Sequence, residues 1–472
     1  MKYSNYQPDL ICEQLEALAS RSTTTRFHAR SLEIRGFSPD SHLGARSRSR
    51  SVERNRGSRS RSRGPLAEAR VVNKGLVTHL GQAISSLTKV EEVWYVRYIS
   101  IFSNATLISY IASRWHLGMN DPEWAQIVVM DSLASLPALE DLRISLGGAP
   151  ASSLKLELLT NLRKITVSGY CPNYKQDVVS GLHTLIANSP RLAYLDVGYN
   201  TRANVIDVSS LHDLLTGVPG DSPLDLRHLV LRNWCVRLDE ITLPHIRLLE
   251  SLSLHLNIEP QQIAAHHDAE DPETSHTLSR TAQYCSTTSE IWTTLREERI
   301  QLKEISTDEI TPAFLEYIAS YSGLEKLTLS FTTAREDDVY TSEKLALKFY
   351  NEVLPMHAQS LTTVDICPMY EGKWCFGSHN ATSLHLCTKL ENLRIHINSE
   401  EIDRPKKDVV VRSILLPSSF LRFSSSLPVC FISGHFLRSP PIFHASRTFL
   451  SPLLMPKETA AGGTETTTET LR

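Results

Sequence analysis

Residue types that can bind a metal gather in two stretches of the sequence. The first holds three cysteines and two histidines within 21 residues: Cys367, Cys375, His379, His385 and Cys387. Structural zinc sites take their cysteine ligands in closely spaced pairs, and this stretch contains no C-x-x-C pair. Cys367 directly follows one apolar phrase and Cys387 precedes another. We therefore predict buried small side chains here rather than a metal site.

The second stretch combines three histidines and three acidic residues: His266, His267, Asp268, Glu270, Asp271 and His276. Its polar surroundings, residues 261–281, predict a mobile, solvated loop. The glycine-rich phosphate loops G-x-G-x-x-G and G-K-[ST] are absent, and LGGAP at Leu146 matches neither. The G-x-S-x-G turn of serine hydrolases is absent too. The sequence thus predicts a protein that is not an enzyme and that uses no metal or cofactor.

One basic run departs from an otherwise ordinary composition. The chain has 472 residues, 41% of them hydrophobic, and a net charge of −3. Residues 45–64, ARSRSRSVERNRGSRSRSRG, contain eight arginines, six serines and one glutamate, so the remainder carries about −10. An RNA-processing protein of this kind would need an RNA-recognition strand, [KR]-G-[FY]-[GA]-[FY], which is absent. The run is interpreted as a disordered, phosphorylatable insert, and nucleic acid is not expected as a partner.

The cysteines and the N-terminus indicate a compartment. Eight cysteines are scattered along the chain without a framework, which is typical of a reducing intracellular environment. The first residues lack the basic and apolar segments of a secretory signal, and no stretch reaches the roughly 18 apolar residues of a membrane-spanning helix. A cytoplasmic or nuclear protein with no membrane role is expected.

A recurring L-x-x-L-x-L phrase organises the chain. Its nine copies begin at Leu139, Leu162, Leu192, Leu226, Leu249, Leu302, Leu324, Leu361 and Leu390. In each copy the fourth and sixth residues point to one face of a short strand, and the residue between them points to the other. A single unit cannot enclose its own leucines, so the units must stack. The pattern predicts an α/β leucine-rich-repeat solenoid, or horseshoe, with one parallel strand per repeat and helices on the convex side.

Segments between the phrases have helical periodicity. Asp121–Pro122 and Thr311–Pro312 are placed as an N-cap followed by proline at the first helical position. The first of these helices is predicted to present Trp124, Ile127 and Val128 on one face. Looser phrases at Val90 and at Leu32 to Ile34 suggest two further strands. The long intervals 249–302 and 90–139 leave room for a hidden unit each. Three copies continue to an asparagine that is expected to bond the following turn: Asn200, Asn257 and Asn398.

Phrases such as LHTLIANSPRLAYLDV and FYNEVLPMHAQSLTTVDI resemble the repeat units of fungal leucine-rich-repeat proteins of the F-box or F-box-like kind, over roughly residues 80–400. In that family an F-box before the repeats binds a Skp1-like adaptor, and the solenoid presents substrates for ubiquitylation. The resemblance implies a substrate-recognition subunit of an SCF-type ubiquitin ligase. The L-P-x-E start of an F-box is not found, so the F-box was either lost or lies before Met1. The alternatives are a stand-alone scaffold and an Arg/Ser-rich RNA-processing protein.

These readings divide the chain into four parts. Residues 1–40 hold a helix and a possible first strand, 41–75 the disordered insert, 76–400 the solenoid with a mobile acidic loop at 260–290, and 401–472 a tail of low order. A protein substrate is expected on the concave face, where tyrosine and arginine are favoured anchors. The candidate partner-binding residues are Arg143, Lys164, Tyr194, Asp196, His228, Lys326, Asp365 and Arg394.

Overall fold

A single parallel sheet runs through the chain. The computed structural model describes residues 8–34, 77–95, 115–117, 123–146, 154–169, 175–198, 209–255, 285–330, 339–368 and 370–397. Its strands are β1 Ser31–Ile34, β2 Glu92–Tyr95, β3 Trp115–Leu117, β4 Asp141–Leu146, β5 Lys164–Gly169, β6 Tyr194–Gly198, β7 His228–Arg232, β8 Ser251–His255, β9 Glu304–Thr307, β10 Lys326–Ser330, β11 Thr363–Cys367 and β12 Asn392–Ile395. Apart from β3, each strand lies beside the next in sequence order, and the sheet does not close on itself. The α/β class and the solenoid-like stacking are therefore present.

Helical segments connect the strands and cover one face of the sheet. The α-helices are Pro8–Ala19, 77–85, Glu123–Ala134, Lys175–Ala187, Leu211–Leu215, Leu243–Ile246, Thr288–Glu297, Pro312–Ile318, Val339–Lys348 and Ala381–His385. Short 3-10 or π turns are Thr24–Phe27, Leu156–Leu158, Phe349–Val353 and Leu354–His357. Their apolar side chains and those of the strands form one continuous core. None of the described helices has both the length and the apolar character needed to cross a membrane.

All nine leucine phrases become strands in the same phase. Each strand begins two residues after the first leucine of its phrase, and that leucine is buried in every copy. In β6, for example, Leu195 and Val197 are 0% and 1% exposed, whereas Tyr194 is only half-buried. Fully burying an aliphatic side chain contributes about 1.5–3 kcal/mol, so the stacked phrases supply a large part of the stability of the fold.

From β2 to β12, β3 apart, each strand is entered through the same pair of backbone hydrogen bonds. The N–H groups of Arg163 and Lys164 both donate to the carbonyl of Glu140, at 2.8 and 2.9 Å. This two-to-one arrangement recurs in successive strands from the carbonyl of Arg30 to that of Thr362. It holds neighbouring strands at a constant stagger, and the leucines of successive units therefore meet.

Within the described ranges, neither long interval inserts a unit between the strands that flank it. β8 pairs directly with β9, so the prediction of a hidden repeat between Leu249 and Leu302 is wrong. β2 pairs directly with β4, and the short β3 pairs only with the last residues of β4. Long insertions at the ends of strands disturb neither pairing, because the entropy of closing a loop grows slowly with its length.

Several predicted features fall outside the described residues. These are the Arg/Ser run at 45–64, the histidine-rich stretch 266–276, the tail 401–472, and Asn200, Asn257 and Asn398. The sheet itself starts before the Arg/Ser run, because β1 pairs in parallel with β2. Residues 285–290, at the end of the predicted acidic loop, belong to a turn and to the helix Thr288–Glu297.

Helix starts follow the capping prediction where they are described. Thr311 is the N-cap of Pro312–Ile318 and its hydroxyl accepts the N–H of Phe314 at 3.2 Å, as predicted. Asp121 and Pro122 lie outside the described residues. In the helix that follows them, Val129, Met130 and Leu133 are the large apolar side chains that are fully buried. The face predicted from Trp124, Ile127 and Val128 is only partly buried, because this helix is apolar almost all round and its periodicity is weak.

A buried polar side chain caps a backbone N–H ahead of four strands. The pairs are Leu162 with Ser189 Oγ (3.2 Å), Leu224 with His245 Nδ1 (3.3 Å), Leu302 with Tyr317 Oη (3.3 Å) and Leu324 with His357 Nδ1 (3.3 Å). In each pair the acceptor belongs to the helical segment that follows the strand, or to the turn after it. These N–H groups would otherwise be buried without a partner, at a cost of about 1–3 kcal/mol each.

The structure also pairs two of the scattered cysteines. Cys235 and Cys285 form a disulfide with their Cα atoms 4.9 Å apart, although 50 residues separate them in sequence. Beside the disulfide, the N–H of Ser286 donates to the carbonyl of Val236 at 2.8 Å, which also links the two segments. Cysteine spacing alone did not indicate this bond, because the two residues are brought together only by the tertiary fold.

We expect Tyr317→Phe to lower the free energy of unfolding by about 1–2 kcal/mol. The Tyr317 hydroxyl donates to the carbonyl of Ile300 at 2.8 Å and accepts the N–H of Leu302, and phenylalanine leaves both groups unsatisfied. Urea unfolding followed by circular dichroism measures the loss. Tyr340→Phe is the matched control, because Tyr340 is 73% exposed and should change stability little. Equal stabilities of the two variants would contradict this role.

Stability should fall as the pH drops below about 6.5, the ordinary pKa of histidine. Burial lowers the pKa of both His357 and His245, so the unfolded chain takes up protons that the folded chain refuses. The stabilising contribution is present in full above that pH and is lost as the pH falls through it. His357→Asn should be less stable at pH 8 and lose less stability between pH 8 and 5.5. Replacing the exposed His385 by Asn should leave the pH dependence intact, and an unchanged slope in His357→Asn would count against the prediction.

Candidate functional site

The residues between the leucines form a second face of the sheet, which we call the polar face. Constant register arranges them in rows that cross the strands. The first row is Asp141, Lys164, Tyr194, His228, Ser251, Glu304, Lys326, Thr363 and Asn392. The second row is Arg143, Thr166, Asp196, Val230, Ser253, Ser306, Thr328, Asp365 and Arg394. A third row, on β4 to β8, is Ser145, Ser168, Gly198, Arg232 and His255.

All eight candidate residues lie on this face, in two groups. Arg143, Lys164, Tyr194, Asp196 and His228 occupy the four neighbouring strands β4 to β7. Lys326, Asp365 and Arg394 occupy β10 to β12, three strands further along the sheet. Neighbouring strands are about 4.8 Å apart, so each group spans a compact patch.

The deepest part of the first group is an ion pair between neighbouring strands. Arg232 on β7 contacts the carboxylate of Asp196 on β6 at 2.6 Å, and the Asp196 side chain is only 7% exposed. Gly198 makes the approach possible: a Cβ at this position would lie 2.6 Å from the Cβ of Arg232. Asp196, predicted as a partner contact, therefore already holds an internal partner.

A second ion pair lies within β4. The Arg143 guanidinium donates two hydrogen bonds to the carboxylate of Asp141, at 2.9 and 3.2 Å. These bonds raise the pKa of Arg143. Because Asp141 is 4% exposed and Arg143 is half-buried, these two bonds restrict the orientation of the guanidinium.

Tyr194 stands between these two pairs. Burial, and then the charge of Asp196, raise the pKa of the Tyr194 phenol, which therefore stays protonated at neutral pH. Its ring centroid lies 5.9 Å from that of His228 on the next strand. Lys164, on the other side, is exposed.

The sequence prediction missed several polar residues on this face or beside it, among them Arg232, His255, Ser306 and Asp308. His255 Nε2 lies 2.9 Å from Ser306 Oγ across β8 and β9. Burial lowers the pKa of His255, against an opposing effect of the Asp308 charge. Arg232 and His255 follow the last leucine of their phrases by one residue, so the period-2 alternation continued by one step would have placed them on this face.

The second group is more open. Arg394 pairs with Asp365 at 3.3 Å in direct register, and the Arg394 side chain is 60% exposed. Lys326 pairs with Glu304, and both are at least one-third exposed. Such exposed pairs are individually worth about 0–1 kcal/mol and can exchange partners at little cost.

Three of the residues considered for zinc make other contacts. Cys367 Sγ lies 3.6 Å from Asp365 Oδ1, and Cys387 Sγ lies 3.8 Å from the carbonyl of Ser383. His379 Nε2 bonds the carbonyl of Lys373 at 2.8 Å. Within the described ranges no three histidine, cysteine or acidic side chains are grouped so that they could hold a metal ion.

Arg232→Ala should lower the free energy of unfolding by about 2–4 kcal/mol, because it leaves the buried Asp196 carboxylate without its counter-charge. Arg394→Ala, which removes an exposed arginine from a similar pair on the same face, should cost less than about 1 kcal/mol. Urea unfolding of both variants checks the contrast. Comparable losses would show that the Asp196–Arg232 pair does not order the polar face.

Comparison with known proteins assigns the chain to no family. No protein-family model matches it, and no curated protein is detectably similar to it in sequence. The geometry of the polar face therefore carries the functional argument.

Proposed function

We propose that this chain is a leucine-rich-repeat protein that binds another protein on the polar face of its sheet. The observation that supports this is the face itself. Across β4 to β12 it presents polar and charged side chains on a rigid parallel sheet, while the opposite face is filled by the core. A strand that is hydrogen-bonded to a neighbouring strand on each side loses little conformational entropy when a partner binds, and this small loss favours binding.

The composition of the face fits protein recognition. Tyrosine and arginine are the residue types most favoured as interface anchors, and Tyr194, Arg143 and Arg394 all lie on it. Tyr194 and Arg143 are half-buried on neighbouring rows, where surrounding side chains restrict their rotamers. Arg394 extends the surface to the last strand.

We propose further that the bound protein is a substrate and that the chain is an F-box-like subunit of an SCF-type ubiquitin ligase. This rests on the resemblance of the repeat units. Such a role requires contact with a Skp1-like adaptor. The helix Pro8–Ala19 does not offer an obvious adaptor surface, because Leu15 and Leu18 pack against the core.

That packing favours a second candidate, a stand-alone scaffold. Pro8–Ala19, the turn Thr24–Phe27 and β1 repeat the order helix, break, strand of the later units. On this proposal the segment 8–34 is a further unit of the stack and contributes to the interaction sheet.

Tyr194→Ala should reduce recovery of the bound protein by about tenfold in cross-linked affinity purifications of the full chain quantified by mass spectrometry. Tyr340→Ala is the matched control, because Tyr340 is exposed on a helix rather than on the sheet. It should leave recovery unchanged. A partner retained equally by both variants would contradict binding on the polar face.

The same purification separates the two candidates. A Skp1-like adaptor recovered with the wild-type chain and with both tyrosine variants supports the ligase role. A partner recovered without any such adaptor supports the scaffold and argues against the ligase.

A further inference from the structure

Four neighbouring strands carry hydrogen-bond donors that have no partner. Lys164, Tyr194, His228 and Ser251 are consecutive in the first row of the polar face. In the part of the chain that the structure describes, their side chains make no hydrogen bond or ion pair. An ammonium, a phenol, an imidazole and a hydroxyl thus lie side by side with no acceptor.

The row is bounded on both sides by residues that are already paired. On β4 the next member is Asp141, which is bonded to Arg143. On β9 it is Glu304, which is bonded to Lys326. The acceptors nearest in register are therefore engaged, and the four donors are left for a ligand.

The local charge sets the kind of ligand. On the polar face of β4 to β8, Arg143 with Asp141 and Arg232 with Asp196 are neutral pairs, so among the acidic and basic side chains of these strands Lys164 leaves one uncompensated positive charge. A single carboxylate would neutralise it. A dianionic phosphate would bring an excess negative charge close to Asp141 and Asp196, which opposes its binding.

The dimensions of the row suit a peptide. Four strands at a spacing of about 4.8 Å extend over about 14 Å, which is the length of roughly four residues of extended chain. The ring centroids of Tyr194 and His228 are 5.9 Å apart, and both side chains are partly exposed, so a ligand can contact them.

We propose that Lys164, Tyr194, His228 and Ser251 bind a single carboxylate side chain in an extended segment of a partner protein. Lys164 supplies the charge, and the other three side chains supply neutral donors or contact surface. This inference rests on the proposed function, since it names the chemistry that the polar face recognises.

The test starts from a display library of random seven-residue peptides selected on the full chain. The consensus peptide is then synthesised in three forms, with glutamate, glutamine or phosphoserine at the acidic position, and binding is measured by fluorescence anisotropy. We expect selected peptides to be enriched in Asp and Glu, and the glutamine form to bind about tenfold more weakly than the glutamate form. The phosphoserine form should bind no better than the glutamate form.

Two lysine variants locate the effect. Lys164→Ala should weaken binding of the glutamate peptide about tenfold, whereas Lys389→Ala should leave it within about twofold because Lys389 lies in a turn outside the strands. Lys164→Glu should prefer a peptide with lysine at the same position. Both residues are exposed, so unchanged urea midpoints confirm that the variants fold.

The inference is overturned if no peptide is selected, if acidic residues are not enriched, if phosphoserine binds best, or if the two lysine variants behave alike. If Tyr194→Ala releases the partner protein while Lys164→Ala does not, binding on the polar face stands and the carboxylate assignment falls. If neither variant releases it, both proposals fall.

Discussion

The architecture depends on one constraint: every strand pairs in parallel with its neighbour at the same stagger. The backbone sets this stagger, because the carbonyl of the residue just before a strand accepts hydrogen bonds from two N–H groups of the next unit. Side chains alternate between the two faces of a strand, so a slip by one residue would move all leucines of a unit from the core to solvent. The leucine core and the hydrogen-bond ladder therefore enforce the same register.

The polar face inherits its order from that register. Residues far apart in sequence, such as Lys164, Tyr194 and His228, become neighbours because each occupies the same place in its phrase. On β4 to β7 the face is partly buried, and its charges other than that of Lys164 are satisfied internally by the Asp141–Arg143 and Asp196–Arg232 pairs. Among the described residues, the donors of Lys164, Tyr194, His228 and Ser251 remain without acceptors. On β10 to β12 the same face is open and its pairs are exposed.

Some features of the fold could not be predicted from local patterns. The helix Glu123–Ala134 is apolar almost all round, so its sequence does not specify which side is buried, and packing selects Val129, Met130 and Leu133. The interval 249–302 has the length of a further unit, yet β8 and β9 are adjacent. The polar caps Ser189, His245, Tyr317 and His357 were also missed, because nothing in their local sequence shows that a distant N–H needs an acceptor.

The sequence by itself determined the nine strands, their order of stacking and the face on which the eight candidate residues lie. It could do so because the L-x-x-L-x-L phrase fixes both the period and the buried side within a few residues. Only the tertiary structure decided which polar side chains are available. Asp196 is not available because it pairs with Arg232, which lies 36 residues further along the chain. Lys164 is available because no residue among those described pairs with it. Ion pairing across strands is a property of three-dimensional proximity, which no local pattern encodes.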